Sequence, residues 1–99
     1  MTIGEQLRNL REEMGFSLKE VSNQISIDAS LLGKIERSER QPTKEQLKQI
    51  ADFFKIDDRV LMRELLSDLF AYKIIEEGAD IDTLRVAEEK IEYLITKRK

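Results

Sequence analysis

No cysteine and no histidine occurs in these 99 residues. The first absence excludes a disulfide framework and a thiolate metal site. The second removes the commonest general base and the commonest metal ligand. There is no glycine-rich phosphate loop and no set of acids at ligand spacing. Asp80 and Asp82 read better as helix caps than as a metal site. The expectation is a protein that is not an enzyme and needs no metal or other cofactor. Proline occurs once and glycine four times, and strand-like alternation is absent. An all-α fold follows. No apolar run is long enough for a membrane span and no signal-peptide pattern is present, so the expectation is cytoplasmic, with no membrane partner.

A strong excess of basic charge is also missing. The net charge is −3, which is not what a nucleic-acid binder advertises. Residues 1–56 hold nine Lys/Arg and nine Asp/Glu, and residues 57–99 hold eight against eleven. Any affinity for a polyanion must then come from local placement and symmetry, not from a global field.

What is present is helical patterning with clear punctuation. Thr2 and Glu5 form a capping box ahead of a helix from Ile3 to about Met14, with Ile3, Leu7, Leu10 and Met14 on one stripe. Gly15 ends it, and Phe16 is placed to staple the next helix. Ser17 and Glu20 form a second box, and Val21 and Ile25 share a face. Ser26-Ile27-Asp28 breaks the period. Asp28 caps a helix from Ala29 to about Arg37, with Leu32 and Ile35 inward. Thr43-Lys44-Glu45-Gln46 opens a helix to about Phe54, with Leu47, Ile50, Ala51 and Phe54 inward and Ile56 as a plug. Asp57 or Asp58 caps a long helix, apolar at Val60, Leu61, Leu65, Leu66, Leu69, Phe70, Ile74 and Ile75, that runs to Gly78. A last helix spans about Asp82 to Lys97, with Leu84, Ala87, Ile91, Leu94 and Ile95 on one side and Glu88, Glu89, Lys90 and Glu92 toward water. Lys97, Arg98 and Lys99 place positive charge at its carboxyl end, where it is favourable.

The stretch Ser17–Pro42, SLKEVSNQISIDASLLGKIERSERQP, has the spacing of a helix-turn-helix whose second helix enters a DNA major groove. It resembles the phage-repressor (Xre-type, Cro/repressor) helix-turn-helix family. The resemblance rests on Ser17, Glu20-Val21-Ser22, Ile25, Ser26-Ile27-Asp28 and Ile35-Glu36-Arg37-Ser38-Glu39-Arg40-Gln41-Pro42. Upstream it extends through Ile3-Gly4, Leu7, Leu10-Arg11 and Gly15, and downstream through Leu47, Ile50-Ala51 and Ile56. It implies a five-helix repressor-like domain over residues 1–66, and residues 67–99 then form a C-terminal helical extension. Four positions depart from the family pattern. Ser22 replaces an alanine, and Leu18 replaces a glutamine that helps hold a phosphate. Ser38 replaces a glycine after the recognition helix. Ser26 stands where the family turn has glycine with φ > 0, implying a penalty of about 1 kcal/mol.

The resemblance places base reading on Ala29, Ser30, Leu31 and Lys34, and a structural salt bridge between Arg11 and Glu36. Lys34 suits guanine O6 and N7 or a phosphate, and Ala29 and Leu31 suit thymine methyls. Leu31 is otherwise a chance exposed apolar residue. Gly33, on the exposed side of the same helix, either allows close approach to the duplex or is merely tolerated. Phosphate contacts are expected from Ser17, Lys19, Arg37, Arg40, Thr43 and Lys44, at helix ends and in the polar loop. Glu39 among them works against binding, or sets spacing or register.

The apolar surface of the last two helices has two readings, extra core of the monomer or a dimer interface. The second places Leu66, Leu69, Phe70, Ile74, Leu84, Ile91 and Leu94 at the interface, because a single recognition helix reads too few base pairs. The leading expectation is a homodimeric transcriptional regulator on a palindromic double-stranded DNA operator. Its length and tail resemble restriction–modification controllers most among such proteins. The alternative is an antitoxin-like module whose last helices bind a partner protein of unknown identity.

Overall fold

The computed structural model describes residues 1–98. They form six helices and no strand among them: α1 (Ile3–Glu13), α2 (Leu18–Ser22), α3 (Ala29–Glu36), α4 (Lys44–Phe54), α5 (Asp58–Glu76) and α6 (Asp82–Arg98). The all-α expectation holds. None of these helices is long and apolar enough to cross a membrane.

Local chemistry explains where the helices start. Thr2, Ser17 and Thr43 each accept a hydrogen bond from the amide three residues on, and Glu5, Glu20 and Gln46 each accept from the cap amide in return. Two orphan donors are satisfied at each start. The amides of Thr2 and Ser17 hold the carboxyls of Glu5 and Glu20 below the usual carboxylate range. A lowered folded-state value means stability that is present at neutral pH and lost as pH falls through it. Asp57 starts α5 by accepting from the Arg59 amide at 2.9 Å.

Helix ends follow one pattern. After α1, α3, α4 and α5 the next residue or two turns left-handed, at Gly15 (φ 75°), Ser38 (φ 62°), Lys55 (φ 57°) and Gly78 (φ 67°). The following amide then bonds back to a carbonyl five residues earlier: Phe16 to Arg11, Glu39 to Lys34, Ile56 to Ala51 and Ala79 to Ile74. These are Schellman endings. Serine and lysine carry the conformation at two of them, each at a penalty of about 1 kcal/mol against glycine.

The core gathers one face from each of the first five helices. Ile3 and Leu7 come from α1, Val21 from α2, and Leu32 and Ile35 from α3. Leu47, Ile50, Ala51 and Phe54 come from α4, Leu61 and Leu65 from α5, and Ile27 from the turn. Phe16 lies on the rim, its ring 5.3 Å from that of Phe53 in an edge-on contact. The amino end of α1 is tied to α5: the Ile3 amide donates to Asp68 Oδ2 and Gln6 Nε2 to Glu64 Oε2, both at 2.9 Å. A carboxylate there suits the positive end of the helix dipole.

Three expectations need correction. Met14 is 52% exposed and lies beyond the end of α1, not on the buried stripe. Helix α2 stops at Ser22, before Ile25, which packs from the turn instead. Ser26 does not take positive φ. Its amide donates to Gln49 Oε1 of α4 at 2.9 Å, so the turn is held by a side chain and carries no glycine-type strain there.

The chain divides into two compact units, Met1–Asp68 and Leu69–Lys99. The second holds the end of α5, the Gly78 turn and α6. No residue of α6 is buried. Asp82 stands in its first turn and Lys97 and Arg98 in its last, each at the favourable dipole end. Lys99, expected in that last turn, lies outside the described residues.

Candidate nucleic-acid interface

Helix α3 is fixed at both ends. At its start, Asp28 Oδ1 accepts the Leu31 amide at 2.7 Å. At its end, Glu36 is only 5% exposed and receives the Arg11 guanidinium through two bonds, Nε to Oε2 at 2.7 Å and Nη2 to Oε1 at 2.9 Å. Arg11 Nη1 also donates to the Phe16 carbonyl at 2.8 Å, which ties α1, the start of α2 and α3 together. The bonds to Glu36 raise the Arg11 pKa further above its already high ordinary value, so the guanidinium keeps its charge. Gly4 lies beside this pair. A Cβ there would collide with the Ile35 carbonyl oxygen and sit 2.9 Å from that of Glu36, so α1 crosses α3 at backbone contact.

The outward stripe is Ser30 and Lys34 of α3 with Arg37, the residue that caps its carboxyl end, spaced by four and three residues and all exposed. Ala29 and Leu31 are half-buried, and Leu31 packs against the core. Of the four residues expected to read bases, Ser30 and Lys34 are thus fully presented, and Ala29 and Leu31 offer an edge. Gly33, expected on the exposed side, is buried. A Cβ there would lie 3.5 Å from Leu18 Cδ1 and 3.1 Å from Arg37 Nη1. Leu18 therefore covers α3 from α2, and that apolar contact occupies the place of the family's polar residue.

The expected phosphate contacts divide by partner. Lys19, Arg40 and Lys44 are exposed and form no ion pair among the described residues. Ser17 and Thr43 are exposed cap residues whose oxygens already accept a bond, leaving each hydroxyl free to donate outward. The Glu20 carboxylate already occupies the amino end of α2, whereas neutral Gln46 stands at that of α4. Arg37 is bound to Glu39, with Nη2 to Oε2 at 3.1 Å and Nε to Oε1 at 3.3 Å. Residues 17–45 hold five basic and five acidic residues. Glu20, Asp28, Glu36 and Glu39 are each engaged by an amide or a guanidinium and the fifth acid, Glu45, is exposed, while Lys19, Lys34, Arg40 and Lys44 are exposed and form no ion pair among the described residues.

The residues expected at a dimer interface are exposed at Leu66, Leu69, Phe70, Leu84, Ile91 and Leu94, and half-buried at Ile74. Leu66 belongs to the first unit and the others to the second. Among the described residues no group of three or more acids could hold a metal ion. The Arg37–Glu39 pair and the burial of Gly33 were not anticipated from the sequence. The one local signal was Glu39 two residues beyond Arg37 across a position that the family fills with glycine.

Comparison with known proteins agrees with this geometry. The family model described as a helix-turn-helix domain matches residues 2–65. Among solved structures, the biofilm master regulator SinR in complex with DNA is 26% identical, with a TM-score of 0.57 over 62% of this chain and 98% of that one. The clp gene regulator ClgR from Corynebacterium glutamicum is 22% identical over 89% and 88% of the two chains, with a TM-score of 0.57. A chain of the SinR–SinI protein complex is 19% identical over 96% and 99% of the two chains, with a TM-score of 0.58. These last two show likeness of fold. Among curated proteins no match reaches significance. The chain belongs to the repressor-like helix-turn-helix family of DNA-binding transcription regulators.

Proposed function

We propose that this protein is a sequence-specific regulator that binds a palindromic operator in double-stranded DNA as a homodimer, in the cytoplasm and without catalysis. The observation that carries the reading is the stripe Ser30–Lys34–Arg37 on a helix locked at both ends by Asp28 and by the Arg11–Glu36 pair. Such a helix presents side chains to base edges at a fixed angle. Ser30 and Lys34 meet bases, with Ala29 and Leu31 against thymine methyls at the edge of the contact. Lys19, Arg40 and Lys44 meet phosphates, with the Ser17 and Thr43 hydroxyls beside them. The likeness to a regulator crystallised with DNA supports this reading. The dimer is supported by the apolar side chains that α6 leaves exposed, because most of a helix's stability in a protein comes from packing its apolar face rather than from propensity. Leu69, Phe70, Ile74, Leu84, Ile91 and Leu94 of two copies form that interface, with Leu66 at its border.

Replacing Lys34 and Arg40 separately tests the assignment. Lys34→Ala is expected to weaken binding to a duplex selected from a random library by about 1–3 kcal/mol and to change binding to a random duplex much less. Arg40→Ala is expected to weaken both alike and to lower the salt slope by about 1. Equal losses on both duplexes for Lys34→Ala would remove it from base reading. Failure to select any duplex would favour the second reading, an antitoxin-like module whose last helices mask a partner protein.

A further inference from the structure

Arg37 differs from the other basic residues around α3 because its guanidinium is held. The Schellman ending at Ser38 turns the chain back so that the Glu39 amide bonds to the Lys34 carbonyl at 2.9 Å. That backbone path sets the Glu39 side chain beside Arg37. The carboxylate takes the side-on edge of the guanidinium, Nε and Nη2. The other side of the group lies over Gly33, where a Cβ would come within 3.1 Å of Nη1. Three features of the sequence thus act on one side chain: no Cβ at residue 33, a left-handed residue at 38 and a carboxylate at 39. The Glu39 carboxyl titrates below the usual range, chiefly through its bonds to Arg37 and also through Lys34, so it is ionised under ordinary conditions.

A guanidinium has five N–H donors in a rigid fork. With Nε and one Nη2 hydrogen engaged, the end-on pair, Nη1–H and the second Nη2–H, makes no hydrogen bond among the described residues. That pair matches guanine O6 and N7. From these placements we propose that Arg37 reads a guanine end-on and that Glu39 is the positioning residue that holds it on its Gly33 seat. Glu39 then has a purpose that a simple repulsion of phosphate does not give it. It makes Arg37 a poorer ligand for phosphate at large and a better one for a single base. An exposed ion pair contributes little to stability by itself, and here its value lies in orientation. The proposal rests on α3 being the DNA-reading helix, and it changes the role of Arg37 from the phosphate contact expected from the sequence.

The test is binding-site selection from a random duplex library, followed by affinity measurements over a salt series on the selected and a random duplex. It is run with the full-length chain and its Glu39→Gln, Glu39→Asp and Gly33→Ala variants. For Glu39→Gln the expected result is tighter binding to the random duplex, with a salt slope steeper by about 1 as the freed guanidinium takes a phosphate. The selected-to-random affinity ratio falls roughly tenfold, and one guanine position of the selected site relaxes while the others persist. Glu39→Asp, which keeps the carboxylate, restores part of the ratio. Gly33→Ala lowers the ratio at the same position while raising the melting temperature, because alanine favours the helix. Loss of specificity through unfolding is thereby separated from loss through misplacement. Equal tightening on both duplexes, with every position of the site retained, would overturn the positioning role. A wild-type chain that selects no sequence would overturn the DNA-reading helix itself, and the inference with it.

Discussion

Glu36→Ala is expected to lower the free energy of unfolding by about 3–5 kcal/mol, measured by urea denaturation of the full chain. Both charges of the pair are largely withdrawn from water, with side-chain exposures of 14% for Arg11 and 5% for Glu36. The carboxylate receives two of the guanidinium's bonds and the Phe16 carbonyl a third. Removing Glu36 leaves that guanidinium facing a cavity, still charged and short of an acceptor. The penalty is that of an orphaned buried charge, which exceeds the net value of the pair. Replacing both partners together, with Arg11→Met and Glu36→Met, is therefore expected to recover most of the loss. A loss under about 1 kcal/mol for Glu36→Ala would contradict this account, because that is what a solvated surface pair contributes. Since domains of this size have only about 5–15 kcal/mol in total, the single substitution is expected to leave the domain near the edge of folding.

The second large effect concerns Gly4. Gly4→Ala is expected to destabilise by about 3 kcal/mol, read as a fall in the urea midpoint with the slope unchanged. The added methyl would meet the backbone carbonyls of Ile35 and Glu36, and neither is a flexible side-chain end. Helix α1 must shift away from α3, which also lengthens the Arg11–Glu36 bonds. Alanine's better helix propensity returns about 1 kcal/mol at most, so the sign is set by the clash. Because the two substitutions act on one crossing, Gly4→Ala combined with Glu36→Ala is expected to lose less than the sum of the two single losses. A neutral or stabilising Gly4→Ala would mean that α1 and α3 are not in backbone contact.

Much of the fold was legible because its signals are local. Capping boxes at Thr2, Ser17 and Thr43 join residues three apart, so the pattern is complete within one turn. The apolar spacing of α1, α4 and α5 likewise names Ile3, Leu7, Leu47, Ile50, Leu61 and Leu65 as core. What failed depends on partners distant in the chain. Ser26 looked like a strained turn residue because nothing nearby shows that Gln49, on α4, holds its amide. Met14 continues the stripe of α1, but periodicity does not say whether any element covers that position. Lys55 adopts a left-handed conformation that its residue type does not announce.

The candidate site was legible in part for the same reason. Ser30 and Lys34 lie on the open face by simple helical spacing. Spacing puts Gly33 on that face too, because spacing alone does not reveal that Leu18 crosses above it. The Arg11–Glu36 pair joins residues 25 apart and came only from the family resemblance. The Arg37–Glu39 clamp needed the backbone turn at Ser38 before the two side chains could be placed together.

The most direct measurement is selection of binding sites from random duplex DNA by the full-length chain, with the mass of the resulting complex determined by light scattering. The expected result is an inverted repeat with half-site centres about 34 Å, or one helical turn, apart, bound by two chains. Enrichment of a lone half-site bound by one chain would contradict the homodimer. No enrichment of any sequence would contradict the reading of α3 as a recognition helix in this chain.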